Sequence, residues 1–92
     1  MMIPDALRIL LVEDDVAFSA ALMDSFAIAE LEAELHADGQ SALSSIAASP
    51  PAVVITDVRM PRLDGNDLLD AVQAVDPELP VIMMTGHGDI AM

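Results

Sequence analysis

The sequence has 92 residues, enough for one small domain, and carries 16 acidic residues against three arginines and no lysine, a formal net charge of −13. This balance excludes direct nucleic-acid binding by the segment, because phosphate contacts need a basic surface. The absence of cysteine excludes disulfides, thiolate catalysis and cysteine-ligated zinc. No apolar stretch reaches the roughly 18 residues of a membrane-spanning helix and no signal-peptide pattern opens the chain, so we expect no membrane association and a cytoplasmic location.

Short apolar runs alternate with helical patterns along the chain, which predicts alternating strands and helices. In chain order these are a strand at residues 7–12, a helix at 16–29, a strand at 33–37, a helix that follows a turn at 38–39 and runs to 48, a strand at 53–56, a helix at 67–75 and a strand at 81–84. The second strand alternates weakly, so it should lie partly exposed near a sheet edge, with His36 exposed there and without a function.

Aspartate and asparagine residues mark the predicted helix starts. Asp15 is the expected N-cap of the first helix, and either Asp64 or Asn66 is the expected N-cap of the third. Residues 58–66, which connect the third strand to that helix, form a loop because they contain proline and glycine.

This order of elements predicts an α/β fold, a doubly wound parallel sheet with right-handed crossovers and helices on both faces. In such a sheet the loops at the carboxyl ends of the strands form the ligand crevice. Three candidate groups follow strand ends: the acids Glu13, Asp14 and Asp15 after the first strand, Asp57 after the third and Thr85 after the fourth.

The acids at this rim favour metal-dependent phosphoryl chemistry. Converging carboxylates repel one another unless a cation neutralises them. Oxygen ligands without His or Cys suit Mg²⁺, which completes its shell with waters and a phosphate oxygen. A carboxylate in that setting can also be a nucleophile that attacks phosphorus, and the Thr85 hydroxyl offers a donor across the rim. Taken singly, these residues also fit a solvated acidic loop, a turn and a strand-end hydroxyl, and their joint placement favours the metal site.

The sequence resembles the receiver domains of two-component response regulators in three motifs. These are residues 9–15 (ILLVEDD), residues 54–61 (VITDVRMP) followed by Asp64 and Gly65, and residues 80–89 (PVIMMTGHGD). The resemblance spans essentially the whole chain, and the joint spacing of acidic pair, aspartate and threonine is highly specific. It implies a flavodoxin-like, three-layer α/β/α fold with the strand order 2-1-3-4-5.

The resemblance also implies a role for each site residue. Asp57 matches the aspartate that is phosphorylated, and Thr85 matches the switch hydroxyl that turns toward the phosphoryl group. Mg²⁺ is the implied cofactor: Asp14 matches a direct ligand, Glu13 a residue that acts more through water, and the backbone carbonyl of Arg59 a further protein ligand beside Asp57.

The implied function is that of a phosphoacceptor, which catalyses only its own phosphorylation and dephosphorylation. A sensor histidine kinase would pass a phosphoryl group to Asp57 and thereby switch an output domain outside this chain. Residues 80–89 are most similar to receivers of sigma-54-dependent regulators of the nitrogen-regulation and dicarboxylate-transport type. The resemblance therefore implies a transcriptional output, with a homodimer as the assembly that such domains usually form.

The chain departs from the family pattern at its carboxyl end. The pattern continues past the fourth strand into another helix, a fifth strand and a fifth helix, and this part includes a catalytic lysine. We therefore expect residues 1–92 to be the N-terminal part of one receiver domain. Because the chain has no lysine, a second hypothesis is a phosphorylation-silent interaction module. A third, a metal-dependent phosphatase with an aspartyl nucleophile, is weaker, because neither acidic run has a second acid two residues after the nucleophile.

Overall fold

Strands and helices alternate along the chain in the computed structural model, which describes residues 8–58 and 63–84. The elements in chain order are strand β1 (Ile9–Val12), helix α1 (Val16–Ile28), strand β2 (Ala33–His36), helix α2 (Gly39–Ala48), strand β3 (Val53–Asp57), helix α3 (Gly65–Val75) and strand β4 (Val81–Met84). All seven predicted elements are therefore confirmed. No helix within the described ranges is both long and apolar enough to span a bilayer.

The four strands form one parallel sheet in the order β2-β1-β3-β4. This confirms the predicted doubly wound α/β architecture, and the order is the one that the flavodoxin-like resemblance implied for these strands. Strand β2 lies at an edge, as its weak alternation indicated. The central strands β1 and β3 place their carboxyl ends side by side, which is where the predicted acids follow.

The main core lies between the sheet and helices α2 and α3. Side chains alternate between the two faces of a strand, so Leu10, Val12 and Val54 share one face. Together with residues of α2, α3 and the segment that leads into β4, they form a buried cluster whose other members are Ala42, Ile46, Leu68, Val72 and Leu79. Burial of these aliphatic side chains is the main stabilising term of the domain.

Helix α1 lies on the other face of the sheet, where Ile9 and Leu11 point, and packs beside β2. Phe18, Leu22 and Phe26, which recur every four residues along α1, are half-buried. Its two end residues, Val16 and Ile28, are 81% and 83% exposed, so α1 is covered much less completely than α2 and α3.

Each helix begins after an aspartate N-cap. Asp15 accepts a hydrogen bond from the N–H of Phe18, and Asp38 and Asp64 make the equivalent bond at the starts of α2 and α3. Of the two predicted caps of α3, Asp64 is therefore correct, and Asn66 is wrong because it lies inside the helix. Helix α3 also starts two residues earlier than predicted, since the cap recruits Gly65 and Asn66 into its first turn.

The prediction that His36 is exposed is wrong. Its side chain is 16% exposed and lies between β2 and the first turn of α2. There Nδ1 is 2.9 Å from the hydroxyl of Ser41, and Nε2 is 2.6 Å from a carboxylate oxygen of Glu34. The same carboxylate binds the guanidinium of Arg8 and accepts a hydrogen bond from Ser45. An edge strand keeps one face against the neighbouring helix, and that contact covers the imidazole.

Candidate functional site

The register of β1 and β3 brings the first acid and the predicted nucleophile together. Val12 is the partner of Thr56 in the parallel pair. The next residue on one side is Glu13, which directly follows β1, and on the other side it is Asp57, the last residue of β3. Both carboxylates therefore lie at the same rim of the sheet. The register of two central strands therefore fixes this pair of acids.

Three carboxylates converge at that rim. Glu13, Asp14 and Asp57 each offer an oxygen atom, and these oxygens all lie within 4.8 Å of one another. Glu13 and Asp57 are 1% and 4% exposed, whereas Asp14 is exposed. The group, called the acidic pocket below, is thus sheltered at its base and open to solvent on the side of Asp14.

Backbone hydrogen bonds hold Glu13 in the acidic pocket. Its N–H donates to the carbonyl of His36, at 3.0 Å, and its carboxylate Oε2 accepts from the N–H of Asp15, also at 3.0 Å. Asp15 itself caps α1 through the N–H of Phe18, at 2.8 Å. Asp15 is therefore a structural residue, in agreement with its predicted role as a cap, and it also orients the carboxylate of Glu13.

A second set of hydrogen bonds holds the chain around Asp57. The hydroxyl of Thr56 donates to the Asp57 carbonyl, at 3.0 Å. The N–H of Val58 donates to the carbonyl of Met84, at 3.0 Å, and the carbonyl of Val58 accepts from the N–H of Gly65, at 2.8 Å. The residue after Asp57 is thus bonded to β4 on one side and to α3 on the other.

The donor set of the acidic pocket fits a hard divalent cation. All three groups are carboxylates. Two oxygens bound to one Mg²⁺ lie at most about 4.2 Å apart. Carboxylate oxygens within 4.8 Å of one another therefore need only a small side-chain rotation, or a bridging water, to bind the same ion. Within the described ranges, the only arginine or lysine is Arg8, which lies at the opposite end of β1 and binds Glu34. A divalent cation bound by these carboxylates would offset the charge of the pocket.

Two predicted site residues lie outside the described residues. Arg59, whose carbonyl was predicted as a metal ligand, and Thr85, the predicted switch hydroxyl, belong to residues 59–62 and 85–92, which the structure does not describe. Strand β4 does pair with β3 up to Asp57 and Met84, so the position of Thr85 in the sequence directly follows that pair. Both roles stay predictions from the resemblance.

His36 was predicted to have no function, whereas the family resemblance matches Gly65 to the turn that shapes the loop behind Asp57. The carbonyl of His36 fixes the backbone of Glu13, and Gly65 contacts the backbone that carries Asp57. The strand order places β2 next to β1, so a backbone contact between their ends was foreseeable once that order was adopted. No local sequence signal identifies the close approach at Gly65.

The family model and the relatives found by comparison with known proteins agree on one family. The family model of the response regulator receiver domain matches residues 9–92. The C4-dicarboxylate transport transcriptional regulatory protein DctD of Rhizobium meliloti is 37% identical over 84 residues, which are 91% of this chain and 18% of DctD. The response regulator protein FleR of Pseudomonas aeruginosa is 38% identical over 85 residues, 92% of this chain and 18% of FleR.

Solved structures agree with the sequence relatives. The crystal structure of a response regulator receiver domain protein from Clostridium thermocellum superposes with a TM-score of 0.81 at 30% identity, covering 89% of this chain and 67% of that one. The chain thus spans less than a fifth of the DctD and FleR relatives. The dicarboxylate-transport regulators expected from residues 80–89 are indeed among the relatives. On these matches, the chain belongs to the response regulator receiver domain family.

Proposed function

We propose that this chain is a phosphoacceptor of a two-component system and that Asp57 is the residue that is phosphorylated. The observation that carries the proposal is the acidic pocket, in which the oxygens of Asp57, Glu13 and Asp14 lie within 4.8 Å of one another. This arrangement sets a carboxylate nucleophile beside two further carboxylates that suit a divalent cation. Membership of the receiver family supports the same reading.

The reaction forms a P–O bond between a carboxylate oxygen of Asp57 and the phosphorus of the donor. With a phosphohistidine donor the P–N bond breaks, and the imidazole nitrogen leaves with the electron pair. Asp14 and Glu13, together with Asp57, would hold Mg²⁺, which when bound offsets the negative charge of the transferring phosphoryl oxygens. Asp57 is 4% exposed, which limits the access of water to the acyl phosphate, and the exposed side of the pocket at Asp14 admits the donor.

The phosphoryl donor that we propose is a sensor histidine kinase, and the phosphorylated domain would regulate an output domain outside this chain. The name of the relative DctD describes a transcriptional regulatory protein, which supports a transcriptional output. Phosphorylation would shift an equilibrium between two surfaces of the domain, with Thr85 as the switch hydroxyl and the Arg59 carbonyl as a metal ligand. The chain would act on no external substrate, and a cytoplasmic location and a homodimer belong to the same proposal.

The test is phosphorylation by a small phosphodonor. The chain is incubated with acetyl phosphate and Mg²⁺, and intact mass spectrometry detects the addition of one phosphoryl group. We expect an adduct that is absent from Asp57→Asn and retained in Asp70→Asn, because Asp70 lies on α3 and is exposed. The assay is repeated on a chimera in which the chain continues into the remainder of the DctD receiver domain.

If neither the chain nor the chimera forms an adduct, the proposal is refuted. Such a result would instead support the second candidate, a phosphorylation-silent interaction module. An adduct on the chimera alone would show that the added segment supplies essential chemistry while Asp57 remains the acceptor. An adduct that persists in Asp57→Asn would place the acceptor elsewhere and contradict the assignment.

A further inference from the structure

We propose that the outer edge of β2 is the interface of a homodimer, in which the β2 strands of two copies pair antiparallel about a two-fold axis at Leu35. This inference rests on the homodimer of the proposed function, to which it assigns a surface, and not on the phosphorylation of Asp57. Within residues 8–58 and 63–84, β2 is the last strand on its side of the sheet. The partner that fits this edge is a second copy of the chain.

The hydrogen bonds to β1 show which backbone groups of β2 face outward. The carbonyls of Glu32 and His36 accept hydrogen bonds from N–H groups of the chain at β1. Successive residues of a strand direct their backbone groups to alternate sides, so Ala33 and Leu35 direct both their N–H and their C=O groups away from β1. A second strand on that side would bond these groups as a neighbour inside the sheet does.

Strand β2 lacks the features that usually keep an edge strand from pairing. Natural edges carry lysine or proline, or are distorted by a bulge. Strand β2 contains neither residue, and its register with β1 is continuous. The side chains of Glu34 and His36 are bonded to Ser45 and Ser41 of α2, so they lie over one face of the sheet and do not block the edge. At the centre of this edge Leu35 is 41% exposed.

The polar side chains select one register of the antiparallel pair. With the axis at Leu35, Glu34 of one copy lies directly opposite His36 of the second copy, so that a carboxylate meets an imidazole on each side of the axis. With the axis at Glu34, the outward groups of Ala33 and Leu35 would also pair, but the two Glu34 carboxylates would lie directly opposite each other. Like charges in that position are destabilising. The order acid, leucine, imidazole along β2 is therefore complementary to itself about Leu35.

The net charge of the chain predicts how salt affects this dimer. Each copy carries a net charge of −13, and Glu32 is exposed beside the interface, so repulsion between the two copies opposes their association. Salt screens this repulsion, with a screening length of about 10 Å at 0.1 M and about 3 Å at 1 M. We therefore expect added NaCl to strengthen the dimer. A dimer held mainly by charge pairs would weaken instead.

Cysteine cross-linking tests the register, because the chain has no cysteine of its own. Directly opposite residues that exchange backbone hydrogen bonds have Cα atoms about 5.5 Å apart, within the range of about 4.4–6.8 Å for disulfides. Leu35→Cys should therefore form a disulfide-linked dimer on mild oxidation. Ala33→Cys is the matched control on the same edge, because its two copies would lie about 14 Å apart in this register. Non-reducing electrophoresis should show at least about 10-fold faster cross-linking of Leu35→Cys.

Sedimentation velocity measures the dimer of the parent chain over a range of concentrations and at low and high NaCl. A single strand edge buries less than the roughly 1,200 Å² of stable interfaces, so we expect a dimer that dissociates on dilution. Leu35→Lys places two like charges opposite each other and should raise the dissociation constant by about 10-fold or more. Val75→Lys is the matched control, because it makes the same change of net charge at an exposed apolar residue of α3. It should not weaken the dimer.

Four results would overturn the inference. The first is cross-linking of Leu35→Cys no faster than that of Ala33→Cys, and the second is a dimer that Leu35→Lys leaves intact, which would place the homodimer on another face. The third is a dimer that NaCl weakens. The fourth is a parent chain that stays monomeric at every concentration and salt, which would refute the homodimer and this interface together. None of these results bears on Asp57 as the acceptor, which the acetyl phosphate assay tests separately. If Leu35→Lys does not fold, the comparison of the two cysteine variants decides.

Discussion

The N–H of Glu13 donates a hydrogen bond of 3.0 Å to the carbonyl oxygen of His36, which joins the acidic pocket to the edge strand β2. The imidazole of His36 in turn bonds Glu34 on the same strand and Ser41 on α2. The buried acid of the pocket is therefore supported by a polar cluster at the sheet edge. Removing a charge from the pocket and removing one from the sheet edge should change stability in opposite directions. The pocket holds like charges, whereas the sheet edge holds opposite charges.

Asp57→Asn should stabilise the chain in buffer without divalent cations. Removing one of three neighbouring carboxylates relieves repulsion, which at this spacing is on the order of 1 kcal/mol. With Mg²⁺ added the parent gains stability in proportion to its occupancy of the site, and Asp57→Asn gains less. Urea unfolding followed by circular dichroism, with EDTA and with Mg²⁺, measures both effects, and Asp70→Asn is the control. A variant that is less stable than its parent in EDTA would contradict the repulsion argument.

Leu68→Ala should lower the free energy of unfolding by about 2–5 kcal/mol, because Leu68 is fully buried in the main core and its truncation leaves a cavity. That loss is a large fraction of the roughly 5–15 kcal/mol of a typical domain, so the variant should be partly unfolded at 37 °C. Ile28→Ala removes a side chain that is 83% exposed and should change stability by less than about 0.5 kcal/mol. Similar losses in the two variants would show that the core is misplaced.

The strands, the helices and the main acids could be predicted from the sequence because they depend on local patterns. The apolar runs that end at Glu13 and Asp57 identified two central strands, and parallel pairing then placed both acids at one rim. The N-cap Asp15 was likewise foreseeable, since capping depends on neighbouring residues.

Contacts between distant segments could not be predicted in the same way. The bonds of His36 with Glu34 and Ser41 depend on how α2 packs beside β2, which alternation along one strand does not reveal. The close approach of Gly65 to the carbonyl of Asp57 likewise depends on where α3 enters the sheet. A glycine after an aspartate looks like an ordinary turn until that neighbour is known.

Glu34 makes the stability of the sheet edge depend on pH. The hydrogen bond from His36, then that from Ser45, and to a smaller degree the positive charges of His36 and Arg8, hold the pKa of Glu34 below its ordinary value of 4.5. A carboxyl group whose pKa is lower in the folded state stabilises the fold above its unfolded pKa and loses that contribution as the pH falls through the folded value. The contribution of Glu34 is therefore present above about pH 4.5 and lost below it.

Glu34→Gln should accordingly destabilise the chain at pH 6–7 and have a much smaller effect at pH 3. Because the Glu34 side chain is 37% exposed, solvent screens its ion pairs, and we expect a difference of about 0.5–1 kcal/mol at the higher pH. Thermal unfolding across this pH range measures it. Glu32→Gln, at an exposed neighbouring acid, is the control. A Glu34→Gln effect that grows as the pH falls would have the wrong sign for this assignment.

Helix α1 ends in a turn that usually has glycine after the C-cap, but this chain has Glu30 at that position. The N–H of Glu30 donates to the carbonyl of Ala27, at 3.0 Å, and the N–H of Leu31 donates to the carbonyl of Phe26, at 2.8 Å. These two bonds define a Schellman turn, whose residue after the C-cap adopts a left-handed conformation. Glu30 occupies that position with a φ of 62°. A side chain with a Cβ atom is strained there, and a negative charge at a helix carboxyl end is unfavourable as well.

Glu30→Gly should therefore raise the free energy of unfolding by about 0.5–1 kcal/mol, the relief of left-handed strain less the greater flexibility of glycine in the unfolded chain. Glu30→Gln separates the two causes, because it removes the charge and keeps the Cβ atom, and it should recover only the smaller, salt-dependent part of the gain. Urea unfolding at low and high salt measures both variants. If Glu30→Gln stabilises the chain as much as Glu30→Gly does, charge rather than backbone strain determines the stability of this turn. If Glu30→Gly is less stable than its parent, the chain does not adopt the left-handed conformation at this position in solution.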